Sequence, residues 1–217
     1  EVKCPVCNSN LDLLPTDENS KIHPSSIYGI TKQNQEQMVL TVCQSLGISA
    51  LAFRYQNVFG PGQSLSNPYT GILSIFSTRI LHKKGIEVFE DGLESRDFVF
   101  IDDVVTATVS GIDSSKEVNG VFNVGSGVPQ SVSHVVDQLL TAFNRSVPVN
   151  INGKYRLGDI RHNYADLTKV QSNFGFQPSV SFENGIYQFV KWVLTQKVEE
   201  DKYDQSIQEM KDRGLYK

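Results

Sequence analysis

The sequence predicts an α/β fold with parallel strands, and three observations lead there. Short apolar runs of strand length alternate with segments whose apolar residues recur at helical spacing. The run at 49–55 is largely apolar throughout, as expected of a strand covered on both faces of a parallel sheet. With 217 residues and 39% hydrophobic content, the chain can bury one sizeable core or two small ones.

The elements follow in order. Residues 1–25 are polar and punctuated by Pro5, Pro15 and Pro24, which predicts an irregular lead-in. A long helix is expected over 26–46, closed by Gly47, with Cys43 buried among its apolar positions. After the strand at 49–55 comes a turn-rich stretch, 60–71, bearing Pro61, Gly62, Asn67 and Pro68, and a loop just past a strand's carboxyl end is where open α/β sheets bind ligands. Residues 71–83 have helical period, with Ile72, Ile75, Phe76 and Ile80 inward, and 86–90 and 98–101 read as strands. Asp102 or Asp103 is expected to cap a helix over 104–111. A strand at 120–125, a helix from Ser131 to Phe143, a strand at 148–152 and helices near 166–174 and 182–196 complete the pattern. The charged tail, 198–217, reads as a solvated helix or a partner-contacting arm.

A net charge of −4 and a pI near 5.6 give no basic footprint for nucleic acid, so an anionic ligand must be held by a few placed arginines. No apolar run reaches membrane-spanning length, and the opening residues, starting at Glu1, resemble no signal sequence, so the expectation is a cytoplasmic protein whose start lies upstream. Three cysteines do not suggest a disulfide framework. Cys4-Pro5-Val6-Cys7 has the spacing of half a zinc knuckle and reads either as a hairpin with free thiols or as a site completed by upstream residues. His23, His82, His134 and His162 show no ligand spacing.

Tyr28 and Lys32 are four residues apart and fall on one helix face. A free tyrosine titrates near pH 10, so its use as a base requires a neighbouring cation, which Lys32 can supply. On spacing alone the pair reads as an exposed tyrosine and a solvated lysine. The segments Arg54-Tyr55-Gln56-Asn57-Val58-Phe59-Gly60-Pro61-Gly62, Ser95-Arg96-Asp97-Phe98-Val99 and Arg156-Leu157-Gly158-Asp159 follow it. With His23-Pro24-Ser25-Ser26-Ile27 leading into Tyr28, this order resembles the extended short-chain dehydrogenase/reductases, the NAD-dependent epimerase/dehydratase family. The stretch 54–76 and the Cys-Pro-x-Cys insertion are similar to the dTDP-L-rhamnose 4-epimerases of that family.

The resemblance implies the C-terminal portion of a Rossmann-type fold. Its divisions are 1–25 as lead-in with the cysteine insertion, 26–60 as the rest of the Rossmann-type domain, and 61–217 mainly as a small mixed α/β substrate domain, with segments near 98–125 returning to the Rossmann sheet. It implies Tyr28 and Lys32 as catalytic and, with Tyr55, Asn57 and Val58, as NAD-binding, NAD being preferred to NADP. It implies Asn57, Asn67, Arg96 and Arg156 as contacts to a nucleotide-diphosphate sugar, expected to be dTDP-linked, with guanidinium groups on the diphosphate. A four-helix homodimer is implied as well, with Arg161 an unassigned neighbour of Arg156.

Thr16-Asp17-Glu18 resembles a dehydratase motif but lies only ten residues before Tyr28, and is read as an acidic stretch leading to Pro24. Gly125-Ser126-Gly127 is a weak dinucleotide fingerprint, closer to the family's turn after a late strand. The glycine-rich pyrophosphate turn and the catalytic Ser or Thr would both lie upstream, and Ser25 and Ser26 are too close to Tyr28 to replace the latter. A 4,6-dehydratase, a 4-reductase or a non-catalytic sugar-nucleotide-binding fragment remain open alternatives, and the 217 residues alone are expected to lack tight NAD binding and turnover.

Overall fold

A computed structural model describes residues 3–65, 71–114, 117–197 and 200–216. Helix α1 (Ile27–Leu46) starts at Ser26, whose hydroxyl accepts from the Gly29 amide, and stops at Gly47 in a left-handed conformation. Strands β1 (Leu51–Tyr55) and β2 (Asn57–Phe59) come next, then α2 (Ile72–Leu81), β3 (Ile86–Val88), β4 (Ser95–Phe100) and α3 (Ile101–Ile112). The chain continues through β5 (Gly120–Val124), β6 (Pro129–Ser131), α4 (Val132–Phe143), β7 (Val149–Ile151) and β8 (His162–Asn163). Helices α5 (Thr168–Phe174), α6 (Phe182–Val193) and α7 (Tyr203–Asp212) close it.

Pairing is mostly parallel. β1 runs alongside β5, with Leu51 opposite Gly120 and Tyr55 opposite Val124, while β2 runs alongside β4, with Asn57 opposite Phe98. The Gln56 amide still donates to the Val124 carbonyl at 2.9 Å. Gln56 is therefore the point at which one continuous stretch changes neighbours, from β5 to β4. A crevice opens where strands diverge in this way. β4 also pairs antiparallel with β6 and parallel with β8, and β3 pairs parallel with β7.

Alternation along β4 feeds two cores. Phe98 and Phe100 enter one with Phe59, Leu73, Ile80, Leu139 and Phe189, and Val99 points into the other with Phe122, Val124, Ala165 and Val170. On the Val99 side, the buried Asp97 carboxylate accepts from the amides of Ser126, Gly127 and Ala165 and from the Ser126 hydroxyl. Gly125 must be glycine because a Cβ there would overlap that carboxylate. Asp103 likewise holds Ser179 and Val180. These two aspartates tie the late segments to the central strands.

Several expectations need correction. Cys43 is only partly buried, because α1 buries no residue, and β1 is half-exposed instead of covered on both faces. Asp102 and Asp103 do not cap α3: the helix begins earlier, at Ile101, and both lie in its first turn. Ile72 and Ile75 are only partly buried against the core, and Leu73 takes a fully buried place beside Phe76 and Ile80. The described part of the tail is no solvated arm, as Tyr203, Ser206 and Ile207 of α7 are buried. The Thr16–Glu18 stretch is also more than a lead-in. Thr16 bridges to Ala165, and the Glu18 carboxylate accepts from the Asn123 amide of β5 at 2.7 Å. No helix among the described residues is long and apolar enough to cross a membrane.

Candidate active-site cleft

A cleft of about 1040 Å³ opens at the switch point between β1 and β2. Tyr28, Lys32, Tyr55, Asn57, Val58, Arg96 and Arg156 all line it, so seven of the eight residues expected to form a site meet in one place. The eighth, Asn67, lies outside the described residues. Cys4 and Cys7 do not line the cleft.

α1 presents Tyr28 and Lys32 side by side. The Lys32 ammonium lies 5.5 Å from the centre of the Tyr28 ring and donates to Gln35 Oε1 at 3.2 Å. Tyr28 is 71% exposed, so its hydroxyl is open to a ligand. The helix is held on β1 by Arg54, whose guanidinium makes a two-pronged contact with Glu36 at 2.7 and 2.8 Å and also donates to the Glu18 carbonyl. Ser25 fixes the approach from the other side, donating to the Gly158 carbonyl at 2.9 Å, next to the Arg156 segment. Tyr55 stacks on Phe53 and shares a hydrogen bond with Thr108.

Alternation puts Arg96 and Phe98 of β4, and Glu94 just before it, on the cleft side. Arg96 is held by donating to the carbonyls of Ser95 and Arg161, and its burial lowers its proton affinity while Asp159 opposes that shift. Neither contact uses a carboxylate, so the charge remains available to an anion. Arg156 stands 5.4 Å above the Phe89 ring, and its segment is bridged to Tyr216. Arg161, unassigned from sequence, is not free for ligand: it forms ion pairs with Glu90 and, at 2.6 Å, with Asp91. That contact holds the Asp91 carboxyl down at about 2.

Sequence reasoning missed three features of the lining. Glu94 is only 8% exposed, its Oε2 lacks a partner, and burial raises its proton affinity. Gln63 Oε1 and Arg156 Nε are buried and unpartnered too. Unpartnered buried polar atoms are uncommon, and three around one cleft are what a polar ligand would satisfy. Tyr203 also lines the cleft. It lies beneath Arg79, whose guanidinium is 4.5 Å from the ring, and burial pushes its hydroxyl up to about 12. Only the alternation of Glu94 with Arg96 along an apolar strand could have signalled any of these.

Residues 8–125 match the NAD dependent epimerase/dehydratase family. The dTDP-L-rhamnose 4-epimerase of Burkholderia thailandensis is 36% identical over 184 residues, which cover 84% of this chain and 50% of that protein. A UDP-glucuronate 4-epimerase of Arabidopsis thaliana is 29% identical over 186 residues, covering 79% of this chain and 42% of its own length. Among solved structures, the UDP-glucose 4-epimerase of Thermotoga maritima with UDP-glucose superposes with a TM-score of 0.76 at 32% identity, over 85% of this chain and 59% of that one. The UDP-N-acetylglucosamine 4-epimerase of Methanobrevibacter ruminantium gives 0.78 at 29%, over 85% and 58%. The chain spans about half the length of the curated relatives it matches. From the family match, the parallel α/β architecture and these relatives together, the chain belongs to the NAD dependent epimerase/dehydratase family.

Proposed function

We propose that these residues are the C-terminal portion of an NAD-dependent nucleotide-sugar 4-epimerase, with a dTDP-linked 6-deoxyhexose as the first substrate to test. The observation that supports this is the meeting of Tyr28, Lys32, Asn57, Arg96 and Arg156, from four separate segments, around one cleft. The relative that is 36% identical over 184 residues is a dTDP-L-rhamnose 4-epimerase, which supports the choice of sugar. Some solved relatives, at 25% and 27% identity, are complexes with NAD, and the residues here fit the nicotinamide end of that cofactor: Lys32 and Tyr28 line one cleft with Gln56, Asn57 and Val58. When bound, NAD would accept and return the hydride that inversion at C4 requires.

The chain's own residues do the rest. Tyr28, its hydroxyl exposed at the cleft, exchanges the proton of the sugar's C4 hydroxyl, and Lys32 supplies the adjacent positive charge. Arg96 and Arg156 hold the diphosphate, and Asn57 positions the sugar where β1 and β2 change neighbours. Exposed Ile27, Met38, Val42 and Leu46 on α1 support a helix-mediated homodimer, and three free thiols support a cytoplasmic setting.

The test uses the full-length protein. Tyr28→Phe is expected to lower kcat by roughly 10²–10⁴-fold, with the affinity for nucleotide sugar unchanged. Arg96→Ala should weaken that affinity instead. Turnover retained by Tyr28→Phe sinks the assignment, and comparing kcat/KM for dTDP-L-rhamnose, UDP-glucose and UDP-glucuronate fixes the substrate.

A further inference from the structure

The segment before Thr16 contains an ordered hairpin with almost nothing to hold it. Lys3 and Asn10 form a single antiparallel bridge, the Cys4 amide donates to Ser9 and the Asn8 amide to Cys4, both at 2.9 Å. Asn8 takes the left-handed conformation that lets the chain double back. Its apolar residues are in solvent: Val6 is 92% and Leu14 81% exposed, and no described residue before Ala50 joins either core. Such hairpins are marginal in water unless something staples them.

At the turn stand two free thiols, Cys4 and Cys7, three positions apart. The sulfur of Cys7 lies 3.0 Å from the Ser9 hydroxyl. Two cysteine thiols three positions apart on one tight turn suit a soft tetrahedral cation and not a hard one. The acidic trio Glu90, Asp91 and Glu94 is the one group of three or more potential ligands among the described residues, and two of its members are already paired with Arg161. The hairpin therefore offers half of a four-ligand site.

We propose that Cys4 and Cys7 are two of the four ligands of a structural zinc site that fixes the lead-in to the helix carrying Tyr28. The other two ligands are a thiolate or imidazole pair from outside the hairpin in the same polypeptide. The lead-in is the mechanical link: past the hairpin, Thr16 bridges to Ala165 and Glu18 caps the Asn123 amide before the chain enters α1. This proposal stands independently of the epimerase reading.

The experiment is metal analysis of the full-length protein purified without chelator, paired with its cobalt-substituted form. Bound zinc, a thiolate-to-cobalt charge-transfer band, and loss of both in Cys4→Ser and Cys7→Ser are expected. One zinc per chain places the second ligand pair in the same polypeptide. One zinc per two chains overturns that part and gives the pair to a second copy's hairpin. Absence of zinc and of the band, their survival in both variants, or a Cys4–Cys7 disulfide in the native protein overturns the site itself. Because the hairpin touches neither core, the variants should keep their circular dichroism, so lost metal reports the ligands and not unfolding.

Discussion

α1 and α7 exchange the places their compositions suggest. α1 is 20 residues long with apolar residues at helical spacing, yet none of them is buried. α7 is a ten-residue, strongly polar helix, yet it buries Tyr203, Ser206 and Ile207 and closes one side of the cleft. The difference lies in what each helix meets. α1 is fastened to β1 through a charged contact, Arg54 to Glu36, whereas α7 brings one aromatic ring under Arg79 and sets Asp201 against Arg79 and Lys84. Apolar content shows that a helix can be buried, and only a facing surface buries it.

The sharpest way to break this comparison is Tyr203→Ala. It removes a buried ring and the floor beneath Arg79, and should cost about 3–5 kcal/mol. Chemical denaturation checks this, and a loss under 1 kcal/mol would mean α7 is docked loosely. Next comes Arg54→Ala, expected to cost on the order of 1–3 kcal/mol because Glu36 is left partly buried without its partner. Hydrogen exchange should then rise in α1 while α6 stays protected, and a uniform rise would show that α1 is coupled to the cores after all.

A smaller effect concerns the wall beside Arg156. Asp91 sits near 2 in the folded chain, below its ordinary 3.8, so its contact with Arg161 stabilises the fold above about pH 4 and fades as pH falls through 2. The pair is half-exposed, so solvent screens it to about 1 kcal/mol or less. Asp91→Asn should lower Tm at pH 7 and leave it unchanged near pH 2, and a pH-independent difference would count against an ionic origin. Smallest of all is Leu46→Ala, measured on the 217-residue chain at a concentration where it is monomeric. Leu46 is 66% exposed, and the change should stay within about 0.5 kcal/mol. A larger loss would reveal a surface that covers α1 in solution.

The comparison also bears on how much could be read beforehand. The caps at Ser131 and Gly47 and the meeting of Tyr28 with Lys32 are local consequences of spacing, and each appears where spacing put it, whereas the strand expected over 98–101 runs instead from Ser95 to Phe100 and so takes in Arg96. Short strands such as β6 and β8 were not legible, since a pair of residues such as His162-Asn163 becomes a strand only by finding β4. Glu94 was illegible for a related reason: its carboxylate is unusual through burial, and burial is a property of neighbours.

By itself, then, the sequence determined the alternation of strands and helices, the family and the residue types of the cleft, because period, turn chemistry and motif order are written along the chain. Tertiary structure alone decided that β1 and β2 change neighbours at Gln56, that Arg161 is spent on Glu90 and Asp91 while Arg96 stays free of a carboxylate partner, and that a charged tail forms a wall of the cleft. These are contacts between residues more than 40 positions apart, and no local pattern records which distant surface a side chain will meet.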